Sequence, residues 1–341
     1  MRKSCHVTIN DQVFSAFRGD TLLDAARAER VEIPYDCRSG RCGICRVRVL
    51  DGLAIGGECR EPGVVRACKT RVMSDLRIKV EALPDVQTVA SRVSAVEPRA
   101  PDVVEVRIET SRPIVYLPGQ HLHVRFRGYP VRCYNPTVST RLATEPDLLH
   151  FQVRRFSHGQ VSAAIGSRIR EGHQVQVRGP FGSAFLRPAS QSRLVLVASD
   201  TGFAAASSIA AAALKEHPRR RVVAVIGARA LESLYMIDAL CALARYPNVT
   251  VVPVVETPQN VSAVVRVGNV VDHIPKLSSE DSVHVCGSPQ LVEAVRGIAA
   301  AAGTMCYCVP LQPARQVERV VAPARSHVPA TVWFSHYFSM A

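Results

Sequence analysis

The stretch "DCRSGRCGICRVRVLDG", residues 36–52, places Cys37, Cys42 and Cys45 within nine residues. Thiolates at x4 and x2 spacing can converge from one tight loop on a metal centre. This is the spacing of a [2Fe–2S] cluster, which needs a fourth cysteine downstream. Gly40 and Gly43 let such a loop turn around the inorganic sulfides and aim backbone N–H groups at them. Two cysteines could complete the set. Cys59 lies in "GGECREPG", a loop with turn signals, and Cys68 in "VVRACKTRV", at the end of an apolar run. We favour Cys68, because a strand end holds a ligand more rigidly than a Gly-rich loop. A structural zinc site or buried free thiols are the competing readings, and the spacing favours iron–sulfur over both.

Certain elements must position these thiols. Residues 1–86 hold six of the eleven cysteines. There "CHVTIN" and "VFSAF" alternate like a hairpin, and "GDTLLDAARAER" follows as a helix with Thr21 and Asp24 spaced like a capping box. "CRVRVLDG" and "LRIKVEAL" are further strands, so the order fits a small β-grasp domain, and "EALPDVQT" reads as a linker. Residues 88–188 alternate again in "VVEVRIET", "HLHVRFRG", "LLHFQVRRF" and "HQVQVRGPFG", with one helical piece, "VSAAIGSRI", among them. That pattern predicts a small antiparallel β-barrel or sandwich. From residue 190 to 313 the runs "RLVLVAS", "RVVAVIGA", "NVTVVPVVE" and "SVHVCG" are continuously apolar, as buried parallel strands require, with helical stretches between them. This predicts a doubly wound α/β domain with a parallel sheet. Residues 314–341 form an irregular tail with the only tryptophan, Trp333.

Bulk properties bound the function. With 341 residues the chain can bury two or three cores. No run is long enough for a membrane span, and "MRKSCHVTIN" lacks the apolar core of a signal peptide, so a cytoplasmic protein is expected. In that compartment eleven cysteines point to metal or free thiols rather than disulfides. The net charge of +13 could suit nucleic acid, but no basic run is interleaved with aromatics, and "HPRRRVV" reads as a solvated helix end. A basic surface equally suits an acidic protein partner or a phosphate-bearing cofactor. Neither nucleic acid nor a membrane is expected as a partner.

"YDCRSGRCGICRVRVLDG" followed by "RACKT" resembles the plant-type ferredoxin domain of oxygenase reductases, those of naphthalene dioxygenase and its relatives above all. In that family the domain precedes a ferredoxin–NADP reductase-like pair. The resemblance implies a [2Fe–2S] cluster on Cys37, Cys42, Cys45 and Cys68, FAD on the barrel, and NADH, with NADPH as the alternative, on the α/β domain. "PVRCYNPTVST" resembles the R-x-Y-[ST] flavin motif. Carried over, Arg132 would pair with the flavin pyrophosphate, Tyr134 would lie against the isoalloxazine, and Asn135 would stand where Ser or Thr meets the flavin N5 edge. "HGQVSAAI" resembles the G-x-V-S motif, which brings in Gly159, Val161 and Ser162 at a helix start. "LVASDTGFAAA" resembles a Gly-rich nucleotide turn in which Thr201 and Gly202 match, while Ser199, Asp200 and Ala205 replace two glycines and a proline. Asp200 there puts a negative charge near the pyrophosphate and predicts weakened affinity. "IGARALESLYM" brings in Arg229, and "VCGSPQLVEAV" resembles C-G-x-P, whose Cys286 and Gly287 would face the nicotinamide.

These parts belong together chemically. NADH gives up two electrons at once and a [2Fe–2S] cluster accepts one, so a flavin between them makes the chain an electron converter. No acid–base dyad or activated nucleophile is required. The main expectation is an NAD(P)H-dependent flavin iron–sulfur oxidoreductase, of the ferredoxin–NAD⁺ reductase type. It would deliver electrons to a ferredoxin or the terminal oxygenase of an aromatic-ring-hydroxylating system. The alternatives are the reductase of a monooxygenase or sugar-deoxygenation system, or a ferredoxin-like carrier whose nucleotide site has decayed.

Overall fold

Asn10 and Asp11 close the first hairpin with φ of 42° and 74°. Positive φ at both central residues makes the turn whose twist matches that of flanking antiparallel strands, and Asn and Asp tolerate it best after Gly. The computed structural model describes residues 3–35, 38–40, 43–59, 62–80, 83–138, 145–187, 192–257 and 264–311. The chain divides into two compact units, Met1–Leu83 and Pro84–Ala341.

In the first unit β1 (Ser4–Ile9) and β2 (Gln12–Phe17) form that hairpin, followed by α1 (Leu22–Ala28), β3 (Arg46–Ile55), β4 (Val64–Arg66) and β5 (Arg71–Val80). The sheet order is β2-β1-β5-β3-β4, with β1 and β5 parallel and the other pairs antiparallel. This is the expected β-grasp. Helix α1 buries Leu22, Leu23, Ala25 and Ala26 in a core with Val7, Val47, Leu76 and Ile78. The capping box is not formed. Thr21 occupies the N-cap without a side-chain cap bond, and Asp24 instead accepts from Arg38 Nη2 at 2.8 Å. Asp is one methylene shorter than the Glu or Gln that closes such a box, and a cation beside it draws the carboxylate outward.

The second unit begins with six antiparallel strands: β6 (Gln87–Ala100), β7 (Val103–Thr110), β8 (His121–Phe126), β9 (Arg132–Tyr134), β10 (Leu148–Arg154) and β11 (Gln174–Phe181). Their order is β10-β7-β6-β11-β8-β9, around a core of Val93, Val106, Ile108, Leu122, Phe126 and Phe151. The helical piece expected at 161–169 is absent. The segment folds as successive turns, with Ala163 N donating to Gly159 O at 3.1 Å and Gly166 N to Ile169 O at 2.9 Å. Gly166, at φ 88°, reverses the chain before a second helical turn can form. The apolar spacing is used all the same, since Val161, Ala164, Ile165 and Ile169 all enter the barrel core.

The remainder is a six-stranded parallel sheet of order β15-β14-β13-β12-β16-β17. Its strands are β12 (Leu194–Ser199), β13 (Val222–Ala228), β14 (Val249–Val255), β15 (Arg266–Val267), β16 (Ser282–Gly287) and β17 (Met305–Pro310). Helices α2 (Phe203–Glu216) and α3 (Ile237–Ala244) pack on one face through Phe203, Ile209, Leu240 and Leu243. Helix α4 (Pro289–Ala301) packs on the other through Leu291, Val292 and Val295. Chain order runs outward from β12 through β13, β14 and β15, then returns to β16. The carboxyl ends of β12 and β16 are therefore the topological switch point, where open α/β sheets bind ligands. Trp333 and the tail lie outside the described residues.

Candidate cofactor sites

The cluster loop is tied down by one arginine that its motif did not reveal. Arg66, at the end of β4, donates from Nη1 to Gly40 O at 3.1 Å, from Nη2 to Glu58 O at 2.8 Å and from Nε to Gly57 O at 3.3 Å. It thereby joins the cysteine loop to the loop that carries Cys59. Gly40 and Gly43 have φ of 80° and 66°, the left-handed backbone the loop was expected to need. Cys45 and Cys68 are both buried, and Ala67 N donates to Cys45 O at 2.8 Å, which joins the two cysteine-bearing segments through backbone. Cys68 lies two residues beyond β4, in a turn rather than at the strand's last position. Cys59 is less buried, and its Sγ faces Gly57 O at 3.9 Å. Cys37 and Cys42 lie outside the described residues. Two buried cysteines, Cys45 and the residue after Ala67, on segments joined through backbone near a left-handed glycine loop fit a thiolate-held cluster.

The flavin segment is β9 itself, paired with β8 so that Leu122 faces Tyr134 and His123 faces Cys133. Tyr134 packs on Phe151, ring centroids 5.9 Å apart, and burial pushes its phenol well above the usual range. Arg132 is half-buried, with Nη1 donating to Val131 O at 2.8 Å. Asn135 gives both amide hydrogens to backbone, Nδ2 to Gly119 O at 3.0 Å and to Gln120 O at 3.2 Å. Only its Oδ1 remains to meet a ligand, and that atom accepts. Around Gly159 the turn is tight: a Cβ there would collide with Ser162 Oγ, which itself accepts from Phe156 N at 3.2 Å. Ser162 therefore stands in a turn and not at a helix N-terminus. Val161 has its side chain in the barrel core, so only its backbone could meet a ligand. An arginine fork, a half-buried tyrosine and a tight polar turn on one barrel fit a dinucleotide flavin.

The nucleotide segments meet at the switch point. A Cβ on Gly202 would collide with Cys286 O, and one on Gly287 would come to 2.5 Å from Ser199 Oγ. The turn after β12 and the end of β16 thus touch through backbone, as the approach of a dinucleotide demands. Thr201 and Gly202 lie in a 3₁₀ turn, Asp200–Gly202, that runs into α2. Asp200 holds φ 51°. Its carboxylate is paired with Arg154 of β10, Oδ1 to Nη1 3.2 Å, so the charge read from sequence as harmful to phosphate binding has a counter-ion. Cys286 is fully buried, and burial, with the neighbouring Cys308, pushes its thiol up to about 12. Arg229 is exposed just beyond β13, and its carbonyl accepts from Thr257 N and Oγ1, each at 3.1 Å.

Barrel and parallel sheet are joined by polar contacts invisible in any motif. Thr137 Oγ1 and Ser207 Oγ, both buried, lie 2.8 Å apart, linking the flavin segment to α2. Tyr235 OH donates to Gln152 Oε1 at 2.9 Å, while Gln152 Nε2 meets Met236 Sδ at 2.9 Å. These contacts tie the barrel to α2 and to the segment before α3.

Known proteins resemble the chain along its length. Residues 4–73 match the 2Fe-2S iron-sulfur cluster binding domain, residues 92–185 the oxidoreductase FAD-binding domain and residues 196–297 the oxidoreductase NAD-binding domain. The chain is 32% identical over 305 residues to the ferredoxin–NAD(P)⁺ reductase component of the naphthalene 1,2-dioxygenase system of Pseudomonas putida, covering 84% of this chain and 90% of that protein. It is 30% identical over 251 residues to the ferredoxin–NAD⁺ reductase component of the alkene monooxygenase system of Xanthobacter autotrophicus, covering 69% and 76%. The solved ferredoxin reductase in carbazole 1,9a-dioxygenase shares the fold, with TM-score 0.61 and 22% identity over 91% of this chain and 99% of that one. Among the described residues no helix is long and apolar enough to cross a membrane.

Proposed function

Since the chain belongs to the family of ferredoxin–NAD(P)⁺ reductase components that join a 2Fe-2S domain to FAD- and NAD-binding domains, we propose that it supplies electrons from NADH to an aromatic-ring-hydroxylating dioxygenase. It is an NAD(P)H-dependent flavin iron–sulfur oxidoreductase. FAD, when bound, exchanges two electrons with the nicotinamide and one at a time with a cluster. In our reading Cys37, Cys42, Cys45 and Cys68 hold the cluster. Arg132, Tyr134 and Asn135, with the turn of Gly159, Val161 and Ser162, hold FAD. Thr201, Gly202, Arg229, Cys286 and Gly287 receive the nicotinamide dinucleotide. The domains are then 1–86, 88–188 and 190–313, followed by the tail, and the protein works in the cytoplasm. Its acceptor is a ferredoxin or the oxygenase itself, steered by the net charge of +13 towards an acidic face.

One observation carries this reading: the barrel that holds the flavin strand and the sheet that holds the nucleotide turn stand in one unit, bridged by Arg154–Asp200 and Thr137–Ser207. The carrier with a decayed nucleotide site fits less well, because the backbone approach of Gly202 to Cys286 is kept. A monooxygenase reductase stays as a second reading, favoured by the likeness to the alkene monooxygenase component. Anaerobic titration of the purified protein with NADH tests the proposal. Bleaching of both flavin and iron–sulfur absorbance is expected, and bleaching of neither would overturn it. Turnover with purified dioxygenase and monooxygenase partners then separates the two acceptors.

A further inference from the structure

Strand alternation sends Leu122 and Val124 of β8 into the barrel core and turns His121 and His123 to its outer face. Cys133 stands opposite His123 on β9, on the same face, while Arg132 and Tyr134 point the other way. One ligand atom from each of His121, His123 and Cys133 lies within 4.8 Å of the other two. None of the three has a part in the cofactor reading above.

We propose that His121, His123 and Cys133 form a binding site for a borderline-soft divalent cation of the Zn²⁺ class, on the outer face of the flavin strand pair. Two imidazoles and a thiolate are the donor set such ions prefer. Zn–N of about 2.0–2.1 Å and Zn–S of about 2.3 Å put tetrahedral ligand atoms roughly 3.5 Å apart, so side-chain rotation of about an ångström closes the site. The fourth position falls to water, because Cys133 is exposed.

The surroundings pre-position the two imidazoles. The His123 ring stacks on Phe181 with centroids 4.2 Å apart, and His121 lies against the same ring at 5.9 Å. Gly182 leaves space for His121, since a Cβ there would come to 2.9 Å from its Nδ1. Burial, then the neighbouring His123, lowers His121 to about 4. Burial, then Arg178, lowers His123 as well. Metal binding takes the proton from the Cys133 thiol. The bound ion would clamp β8 to β9, the strand that carries Arg132 and Tyr134.

The test uses the holoprotein with Zn²⁺ itself as probe. Competition with a chromophoric chelator counts bound zinc, and absorption at the zinc edge reports its ligands independently of iron. The expected result is one zinc per chain with sulfur and nitrogen neighbours. Loss of an outer-shell partner already weakens metal sites about 10–100-fold, so His123→Ala and Cys133→Ser should each weaken binding by at least roughly 100-fold. Cys241→Ser, in an exposed thiol elsewhere, should change nothing, and flavin absorbance confirms that each variant is folded. Zinc bound equally well by the His123→Ala and Cys133→Ser variants, an edge spectrum without sulfur, or no stoichiometric zinc in the wild type would each overturn the proposal.

Discussion

Arg154 of β10 and Asp200 of the nucleotide turn form an ion pair, Nη1 to Oδ1 3.2 Å, and Arg154 Nε also donates to Asp102 Oδ2 at 2.7 Å. The barrel thus supplies the charge that balances the one carboxylate in a turn proposed to meet phosphate. The pair makes two opposite predictions. Asp200→Gly suits the left-handed φ of 51° and frees the guanidinium, so NADH should bind more tightly. Arg154→Ala leaves the carboxylate alone, so NADH should bind more weakly. A partly exposed pair is worth up to about 1 kcal/mol, so each shift should be up to about fivefold in Kd. Shifts of the same sign in both variants would refute the charge-balance account.

Cys68→Ser should abolish the visible absorption of the cluster and its reduced-state EPR signal, whereas Cys59→Ser should leave both. Cys68 is buried and follows Ala67, whose N–H donates to Cys45 O, whereas Cys59 is less buried. Loss of the cluster in Cys59→Ser alone would reverse the assignment.

Arg132→Ala should weaken FAD about ten- to a hundredfold, because a charge-assisted phosphate contact is worth roughly 1.5–3 kcal/mol. Fluorescence titration of the flavin-stripped protein measures this. The variant should retain its iron and sulfide content, since its change lies in the other unit.

Glu105 ties the barrel to acid. Burial pushes its carboxyl up, but hydrogen bonds from His150, Arg99 and Arg107 outweigh it and hold it at about 2, below the ordinary 4.5. A lowered carboxylate stabilises the fold above the unfolded value, and that contribution drains away as pH falls from 4.5 towards 2. Glu105→Gln should cost about 1–3 kcal/mol at neutral pH, the worth of charged hydrogen bonds in a buried network. The gap between wild type and variant in thermal unfolding should narrow as pH drops below 4.5. A gap that is flat from pH 7 to pH 3 would remove Glu105 from the account.

Sequence showed what depends on local chain or on missing side chains. The x4, x2 cysteine spacing, the apolar parallel strands and the glycines at 202 and 287 are such features. Gly202 and Gly287 matter because no Cβ fits between the turn and β16, and the absence of a side chain is visible in a sequence. Contacts made across long separations were not legible. Thr137 and Ser207 meet across 70 residues, and Arg66 reaches Gly40 across 26. Two local readings also failed on competition. Asp24 was taken by Arg38 instead of capping α1, and Gly166 turned the chain where apolar spacing predicted a helix. Asp200 looked harmful because Arg154, its counter-ion, lies 46 residues earlier in the chain.

The central claim is a linear path from NADH to FAD to the cluster and then out. The most direct measurement compares two acceptors in a Cys42→Ser protein that retains FAD. Ferricyanide can draw electrons from the flavin, so its NADH-driven reduction should continue at close to the wild-type rate. Cytochrome c reduction and turnover with the oxygenase partner should largely fail. In the wild type the partner rate should fall as salt rises, over a Debye length of about 10 Å at 0.1 M, if the acceptor face is acidic. Full turnover of the oxygenase by Cys42→Ser protein would contradict the linear path outright.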